Sequence, residues 1–344
     1  MLYAGIDLHK NYQLITVIND GGHQVSQVRL NNNRLLVKNY FGQFTESVKI
    51  VVEATLNWYW LVDLLDELNY HIVLAHPKKL RSIVEAKLEN DKISSFMLAQ
   101  LLRNNFIPEA YCLSPEIRAL RDLCRTRLFF VRQRTALVNN CHSTLLKHNI
   151  VAPSKGKLHS SSGLAYLKNP DLELHEISKL GLNCKSDLIK ILTEKIKSLE
   201  YKIKRYCIED EIIKLLKTIP GIGDVLSPTI RYEIGEITRF KSHKHLASYS
   251  RYTQKIHQSG RLNKHYNTSK EGNAYLKWAF SEVVINAIRF DKDIRKCYQR
   301  HLSKKGKPVA KAIIGRNLTT VVFNVWTNNE SYKGFKVSKK NQSN

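Results

Sequence analysis

The chain has 344 residues, 43% of them hydrophobic, with 55 Lys and Arg against 30 Asp and Glu and a formal charge of +25. Such a length allows two or three domains with real cores, and the apolar content excludes a disordered chain. The charge favours a polyanion as partner through phosphate neutralisation and counterion release. No run approaches the 18 apolar residues of a bilayer span, and neither end carries a basic amphipathic helix with a Trp/Phe/Leu face, so nucleic acid is favoured over a membrane. Six cysteines (Cys112, Cys124, Cys141, Cys184, Cys207, Cys297) lie far apart without a CxxC pair, against a zinc ribbon or a disulfide framework. The opening MLYAGIDLHK lacks the apolar core of a signal peptide, and a reduced, cytosolic protein is expected.

In chain order, LYAGIDLH, QLITVIND and HQVSQVRL predict three strands, with Gly21-Gly22 as the turn between the second and third. A helix follows over NRLLVKNYFGQF, then a buried strand VKIVVEA, a helix WYWLVDLLDELN and a strand YHIVLAH. Pro77 suits the first turn of a further helix, KKLRSIVEAKLEN. Three antiparallel strands followed by alternating helices and strands predict a mixed α/β layer fold, an order that the ribonuclease H-like fold has. From Leu113 the chain turns helical, with one long helix over EIRALRDLCRTRLFFVRQRTALVNNCHSTLLKH. Residues 151–184, with Pro153, SKGK, SSSG and Asn169-Pro170, predict a linker or irregular insertion. In the helix that follows, Leu192, Ile196, Leu199, Ile203 and Tyr206 step by heptad spacing, which suits either a packed hairpin or a coiled-coil dimer. From Thr218 to about Trp326 the expectation is helices with loops, and the last residues are a polar, basic tail. The division expected is 1–112, an α/β domain; 113–216, a helical connector; 217–330, a mainly helical C-terminal domain; and 331–344, the tail.

Four constellations carry chemistry. Asp7 lies inside the apolar strand YAGIDLH and Glu53 ends the apolar strand IVVEA, where a charge is costly unless paired or bound to a cation. Joined by Asp91, just ahead of FMLAQLLR, they form an oxygen set for Mg²⁺ or Mn²⁺, which could serve phosphodiester cleavage. The competing reading makes Asp7 a turn cap, Glu53 a lysine partner and Asp91 a solvated acid. TIPGIG, with Gly221 and Gly223, puts a tight turn before a helix, suited to a DNA-backbone clamp or to a plain helix connection. Ser259, between Gln258 and Gly260 in a basic loop, is either a candidate nucleophile or part of a turn. Arg118, Arg121, Arg125 and Arg132 share a helix face opposite Leu120, Leu123, Leu128 and Val131, giving a phosphate-tracking surface or a solvated basic face. No GxxxxGK[ST] occurs, so NTP hydrolysis has no support.

Together, GIDLHK, VVEAT, the Glu-x-Asp-Lys-Ile run into MLAQLLR, IPEAY and EIRALRDL resemble the DEDD-type transposases of bacterial insertion sequences (insertion-sequence family one hundred and ten) and their relatives the Piv-type DNA invertases. LKTIPGIGDVLSPTIRYEIGEITRF, HQSG and TSKEGNAYLKWAF resemble the same family's C-terminal domain, so the resemblance covers nearly the whole chain in order. It implies a RuvC-like, ribonuclease H-fold catalytic domain, a helical or coiled-coil connector and a C-terminal transposase domain carrying a serine. It also implies a divalent metal on Asp7, Glu53 and Asp91, attack on DNA by Ser259, and Lys270 of TSKEGN among the nucleic-acid contacts. The partners implied are double-stranded DNA and a structured guide RNA from the element, with base pairing reading sequence. A homodimer or homotetramer, bacterial and nucleoid-associated, is expected.

The sequence departs from that family in two places. Where the family carries a fourth acid three residues after the third, this chain reads NDKISS, with Ser94 in that place. A hydroxyl supplies no charge to the ion; Glu85 or Glu89, on neighbouring turns, are the candidate substitutes. SYSRYTQKIHQSG also replaces the family's more usual AYAGLVP ahead of the serine. Three readings follow: an active recombinase, a catalytically weakened nucleic-acid-binding copy, and a Piv-like invertase without a guide RNA.

Overall fold

The computed structural model describes residues 1–83, 91–152, 157–259, 262–268 and 271–335. The chain divides into two compact units, Met1–Pro115 and Glu116–Asn344.

The first unit is a three-layer α/β structure. Strands β1 (Leu2–Leu8), β2 (Tyr12–Ile18) and β3 (Gln24–Asn31) form an antiparallel meander; after helix α1 (Arg34–Gly42), β4 (Val48–Glu53) joins β1 in parallel. Helix α2 (Tyr59–Glu67) leads to β5 (His71–Ala75), parallel to β4, so the strand order is β3-β2-β1-β4-β5. Alternation decides which side chain faces which layer. Leu2, Ala4, Ile6 and Leu8 of β1 and Ile50 and Val52 of β4 pack with Val37, Phe41, Leu61 and Leu65 of α1 and α2. Val51, Val73 and Ala75 face the other way, onto Leu80 of α3 (Pro77–Ile83) and Leu98 and Leu102 of α4 (Asp91–Arg103). Pro77 does open α3, in the first-turn position where a missing N–H costs nothing.

Gly5 fixes how closely α4 approaches. A Cβ there would overlap the Ser95 carbonyl and stand 2.6 Å from the Ala99 amide nitrogen. The buried Thr16–Ser95 hydroxyl pair, 2.7 Å apart, holds the same spot. At the other end of α4, Gln100 donates to the Gly22 carbonyl (2.7 Å) and Arg103 to that of Asp20 (3.0 Å). The helix therefore runs antiparallel to β1, and its N-terminus lies over the C-terminal end of that strand.

The second unit is mainly helical. Helices α5 (Pro115–Lys147) and α7 (Glu176–Tyr206) lie antiparallel, cross-linked by Arg127 to Glu200 (2.9 Å) and Lys185 to Thr144 (3.2 Å). Their shared core includes Val138, Cys141, Leu145, Leu182 and Ile189. The heptad seam is thus spent within the chain: Ile196 and Ile203 are buried, whereas Tyr206 is 68% exposed. The irregular stretch expected over 151–184 is shorter than that. Short helix α6 (Ser161–Leu167) lies inside it, and α7 begins at Glu176, capped by the His175 ring. Burial of Leu182 and Ser186 on the inner face carries the helix through Gly181 and Asn183, against their low propensity.

Helices α8 (Glu211–Leu216), α9 (Leu226–Ile234), α10 (His243–Tyr249), α11 (Ala274–Phe290) and α12 (Lys292–Asn328, broken at Gly306) enclose the largest core, around Ile230, Phe280, Val283, Ile314 and Leu318. The loops expected between Thr218 and Trp326 include a β-hairpin instead, β6 (Gln254–Ser259) with β7 (Leu262–Thr268). No helix among the described residues is long and apolar enough to cross a membrane.

Candidate active site

Asp7 and Glu53 sit near the C-terminal ends of two adjacent parallel strands. Ile6 is level with Val52, so the two acids follow at the next position on each strand and share the α4 face of the sheet. From Gly5 to Asp7 the strand advances roughly 7 Å. From Ser95, which lies on Gly5, back to Asp91 the helix advances roughly 6 Å. Backbone geometry alone therefore brings the first residue of α4 level with Asp7. Ser94, one turn on, is half-buried. Glu85 and Glu89 lie outside the described residues.

The electrostatics agree with a crowded acid pair. Burial pushes the Glu53 carboxyl up, the neighbouring Asp7 pushes it further, and Arg81 on α3 only partly offsets the two. Asp7 also has the His9 imidazole at 3.5 Å. Asn57 and Asn32 both donate to the His9 carbonyl, at 2.9 and 2.8 Å, which ties the loops after β4 and β3 to the end of β1. Among the described residues no cluster of three His, Cys, Asp or Glu forms a metal site.

Ser259 occupies the last position of β6, paired with Leu262 across the tip of the hairpin. This corrects the loop expected there. A two-residue connection beginning with glycine, Gly260-Arg261, has the residue choice of a tight hairpin turn, although both residues lie outside the described ones. Lys270 lies outside them as well.

The two glycines of the TIPGIG turn separate. Gly221 has φ +92°, and a Cβ there would meet Ala287 N and Val283 O of α11, each at 2.8 Å; it exists for close packing. Gly223 is exposed with open space around it, followed by Asp224, whose carboxylate pairs with Lys217 and Lys204. Hydrogen bonding to Lys217 holds the Asp224 carboxyl below its usual range.

The arginine stripe of α5 is not a uniform exposed face. Arg118 is buried (3% exposed), Arg121 and Arg125 are half-buried and only Arg132 is exposed. Arg125 forms a fork with Glu233, at 2.6 and 2.8 Å. Helix α5 packs into two separate clusters, through Cys124 and through Val138, Cys141 and Leu145, so a spacing that groups four charges does not keep them in solvent. Glu233 and Asn273, which the sequence did not single out, complete this cluster. The available signal was a lone acid in LSPTIRYEI, among residues that are nearly all buried.

Known proteins match this arrangement along the chain. A transposase model of the DEDD, IS110 type matches residues 4–150. A second model, described as transposase of the IS116/IS110/IS902 family, matches residues 213–299. A probable family 20 transposase of Pseudomonas aeruginosa is 23% identical over 281 residues, 79% of this chain and 80% of the relative. The transposase for insertion sequence element IS1328 of Yersinia enterocolitica is 22% identical over the same shares. The pilin gene-inverting protein of Moraxella bovis is 34% identical over 124 residues, 34% of this chain and 38% of the relative. The first model takes in both strand acids, the second the serine hairpin, and the chain belongs to the IS110 family of transposases.

Proposed function

We propose that this transposase is a recombinase of a mobile element that cleaves and rejoins DNA with Ser259 as nucleophile and divalent metal at Asp7, Glu53 and Asp91. The observation that carries the reading is the pairing of Asp7 with Glu53 on adjacent parallel strands, beneath the helix that Asp91 opens. The strand order β3-β2-β1-β4-β5 supports a ribonuclease H-like, RuvC-like catalytic unit.

The residues fit a hard cation. Burial first, and then repulsion from Asp7 on the neighbouring strand, raise the Glu53 carboxyl, and a dication would relieve both. Asp7, Glu53 and Asp91 would hold Mg²⁺ or Mn²⁺, which when bound neutralises charge at the scissile phosphate. In the chemical step the Ser259 Oγ–P bond forms and the bond from phosphorus to the leaving deoxyribose oxygen breaks. The hydroxyl proton is taken up by a general base and delivered to that oxygen. Rejoining reverses the exchange, which conserves the phosphodiester energy in the serine link.

Duplex DNA is the substrate, and an element-encoded RNA supplies sequence recognition by base pairing. Exposed Arg132, half-buried Arg121, the open turn at Gly223 and Lys270 hold backbones, within a homodimer or homotetramer. Such contacts are read by salt: binding should weaken steeply as salt rises.

Ser94 supports a second reading, a folded, nucleic-acid-binding copy with weakened catalysis. An excision assay in cells carrying the complete element separates the two, with the circular junction as readout. Junctions from the native protein that vanish with Ser259→Ala establish a serine recombinase working with three acids. Junctions that form only with Ser94→Asp establish the disabled copy. Junctions that persist with Ser259→Ala remove the nucleophile assignment.

A further inference from the structure

We infer that Glu233, Arg125 and Asn273 form a positioning clasp that aims the hairpin bearing Ser259; the inference rests on Ser259 being the nucleophile.

The Glu233 side chain is 1% exposed. An unpaired carboxylate in such a place is strongly unfavourable, and an apolar residue would pack there at lower cost. Instead, both its oxygens are used. Arg125 donates Nε to Oε1 (2.6 Å) and a terminal nitrogen to Oε2 (2.8 Å), and Asn273 Nδ2 donates to Oε2 (2.7 Å). The Arg125 guanidinium also lies 4.4 Å above the Tyr275 ring. Burial works against the Arg125 charge, and the hydrogen bond to Glu233 together with the attraction of Glu233, Tyr275 and Asp122 more than restores it.

Asn273 is the point where this cluster meets the hairpin. Its Oδ1 accepts from the amides of Tyr275 (2.9 Å) and Leu276 (3.0 Å), capping α11. Its own amide donates to the Tyr249 carbonyl (2.6 Å), and Arg251 Nε donates to the adjacent Gly272 carbonyl (2.9 Å). The chain leaving β7 at Thr268 is therefore pinned five residues later. On the entering side, two residues before β6, Tyr252 is buried (6% exposed) with its amide on the Ala247 carbonyl (2.8 Å). The Tyr252 hydroxyl meets Ser281 (3.2 Å), and Lys277 Nζ lies 3.5 Å from its ring.

A two-stranded ribbon has too little packing of its own to set its direction. Its roots must do so. The entering root is held by the buried Tyr252; the leaving root is held at Asn273, beside Arg251 on the Gly272 carbonyl, and the Asn273 side chain is fixed by the buried Glu233 carboxylate. Ser259 lies at the far end of the ribbon, where a small rotation at the root is amplified.

The test uses the full-length protein and Asn273→Asp, which keeps an oxygen to cap α11 but replaces the donor to Glu233 with a second carboxylate. Hydrogen exchange by mass spectrometry should show amides of 254–268 exchanging about tenfold faster, with α9 and α11 within about twofold of native. Formation of the protein–DNA adduct at saturating DNA should slow by about tenfold or more, with the dissociation constant for DNA within about twofold. If Asn273→Asp does not fold, Arg125→Lys, which keeps the charge and gives up the fork, should show the same two changes at about threefold. Unchanged hairpin exchange, or exchange raised equally in α9 and α11, overturns the clasp. Exchange is measured with Ser259→Ala as well, so an adduct found on another residue removes the nucleophile reading while the exchange data still decide the clasp.

Discussion

The acids and the serine are mounted in opposite ways. Asp7 and Glu53 project from the middle of a five-stranded sheet, each flanked by fully buried neighbours such as Ile6 and Val52. Ser259 stands at the tip of a two-stranded ribbon whose roots are held at Tyr252 and Asn273. The difference suits the roles proposed for each, metal binding for the acids and attack on DNA for Ser259. A metal site needs ligands fixed in fractions of an ångström, which strands in a packed core supply. A nucleophile that becomes covalently joined to DNA and is later released needs reach, and a ribbon supplies it.

The sharpest way to break the rigid half of this comparison is Gly5→Ala. The added methyl overlaps the Ser95 carbonyl, which is backbone and must move, lifting α4 from β1 and with it Asp91 from the level of Asp7. A loss of about 1–3 kcal/mol is expected in urea unfolding. Metal-dependent activity should fall further than stability accounts for. An unchanged unfolding midpoint would mean that α4 does not lie on Gly5.

A smaller effect, of opposite sign, is expected of Glu53→Gln. The folded-state pKa of Glu53 lies above its ordinary value, so its protonated form is the one that folding favours. Its contribution is fully present below the unfolded pKa and is lost as pH rises through the folded pKa. At neutral pH the neutral glutamine should therefore raise stability by about 1 kcal/mol, the usual gain when a functional site's strain is relieved. The gain should shrink toward pH 4, and activity should be lost. A variant equally stable at both pH values would show that Glu53 carries no such strain.

How much of this was legible follows from where each residue's environment is decided. The strands of the first unit read clearly because alternation is imposed locally: Ile6, Asp7 and Leu8 already tell which face is apolar and that an acid interrupts the other. The hairpin around Ser259 did not read as strands, since QKIHQS and LNKHYNT carry little apolar alternation. The start of α7 was hidden by Gly181 and Asn183, whose low propensity is overridden by packing on α5. Helical spacing groups Arg118, Arg121, Arg125 and Arg132 on one face, but it gives direction and not depth, so the burial of Arg118 is invisible to it. Gly221 and Gly223 look alike in sequence, and only the approach of α11 separates a packing glycine from an open one. Glu233 and Asn273 are distant in the chain and meet only in the fold.

The most direct test of the central claim is to trap the reaction. The purified protein is incubated with Mg²⁺, its element-end DNA and the adjoining element RNA, then digested, and the DNA-linked peptide is sequenced by mass spectrometry. The account predicts a single adduct on Ser259, absent from Asp7→Asn. An adduct on any other residue, or strand cleavage and rejoining with no adduct, would contradict it.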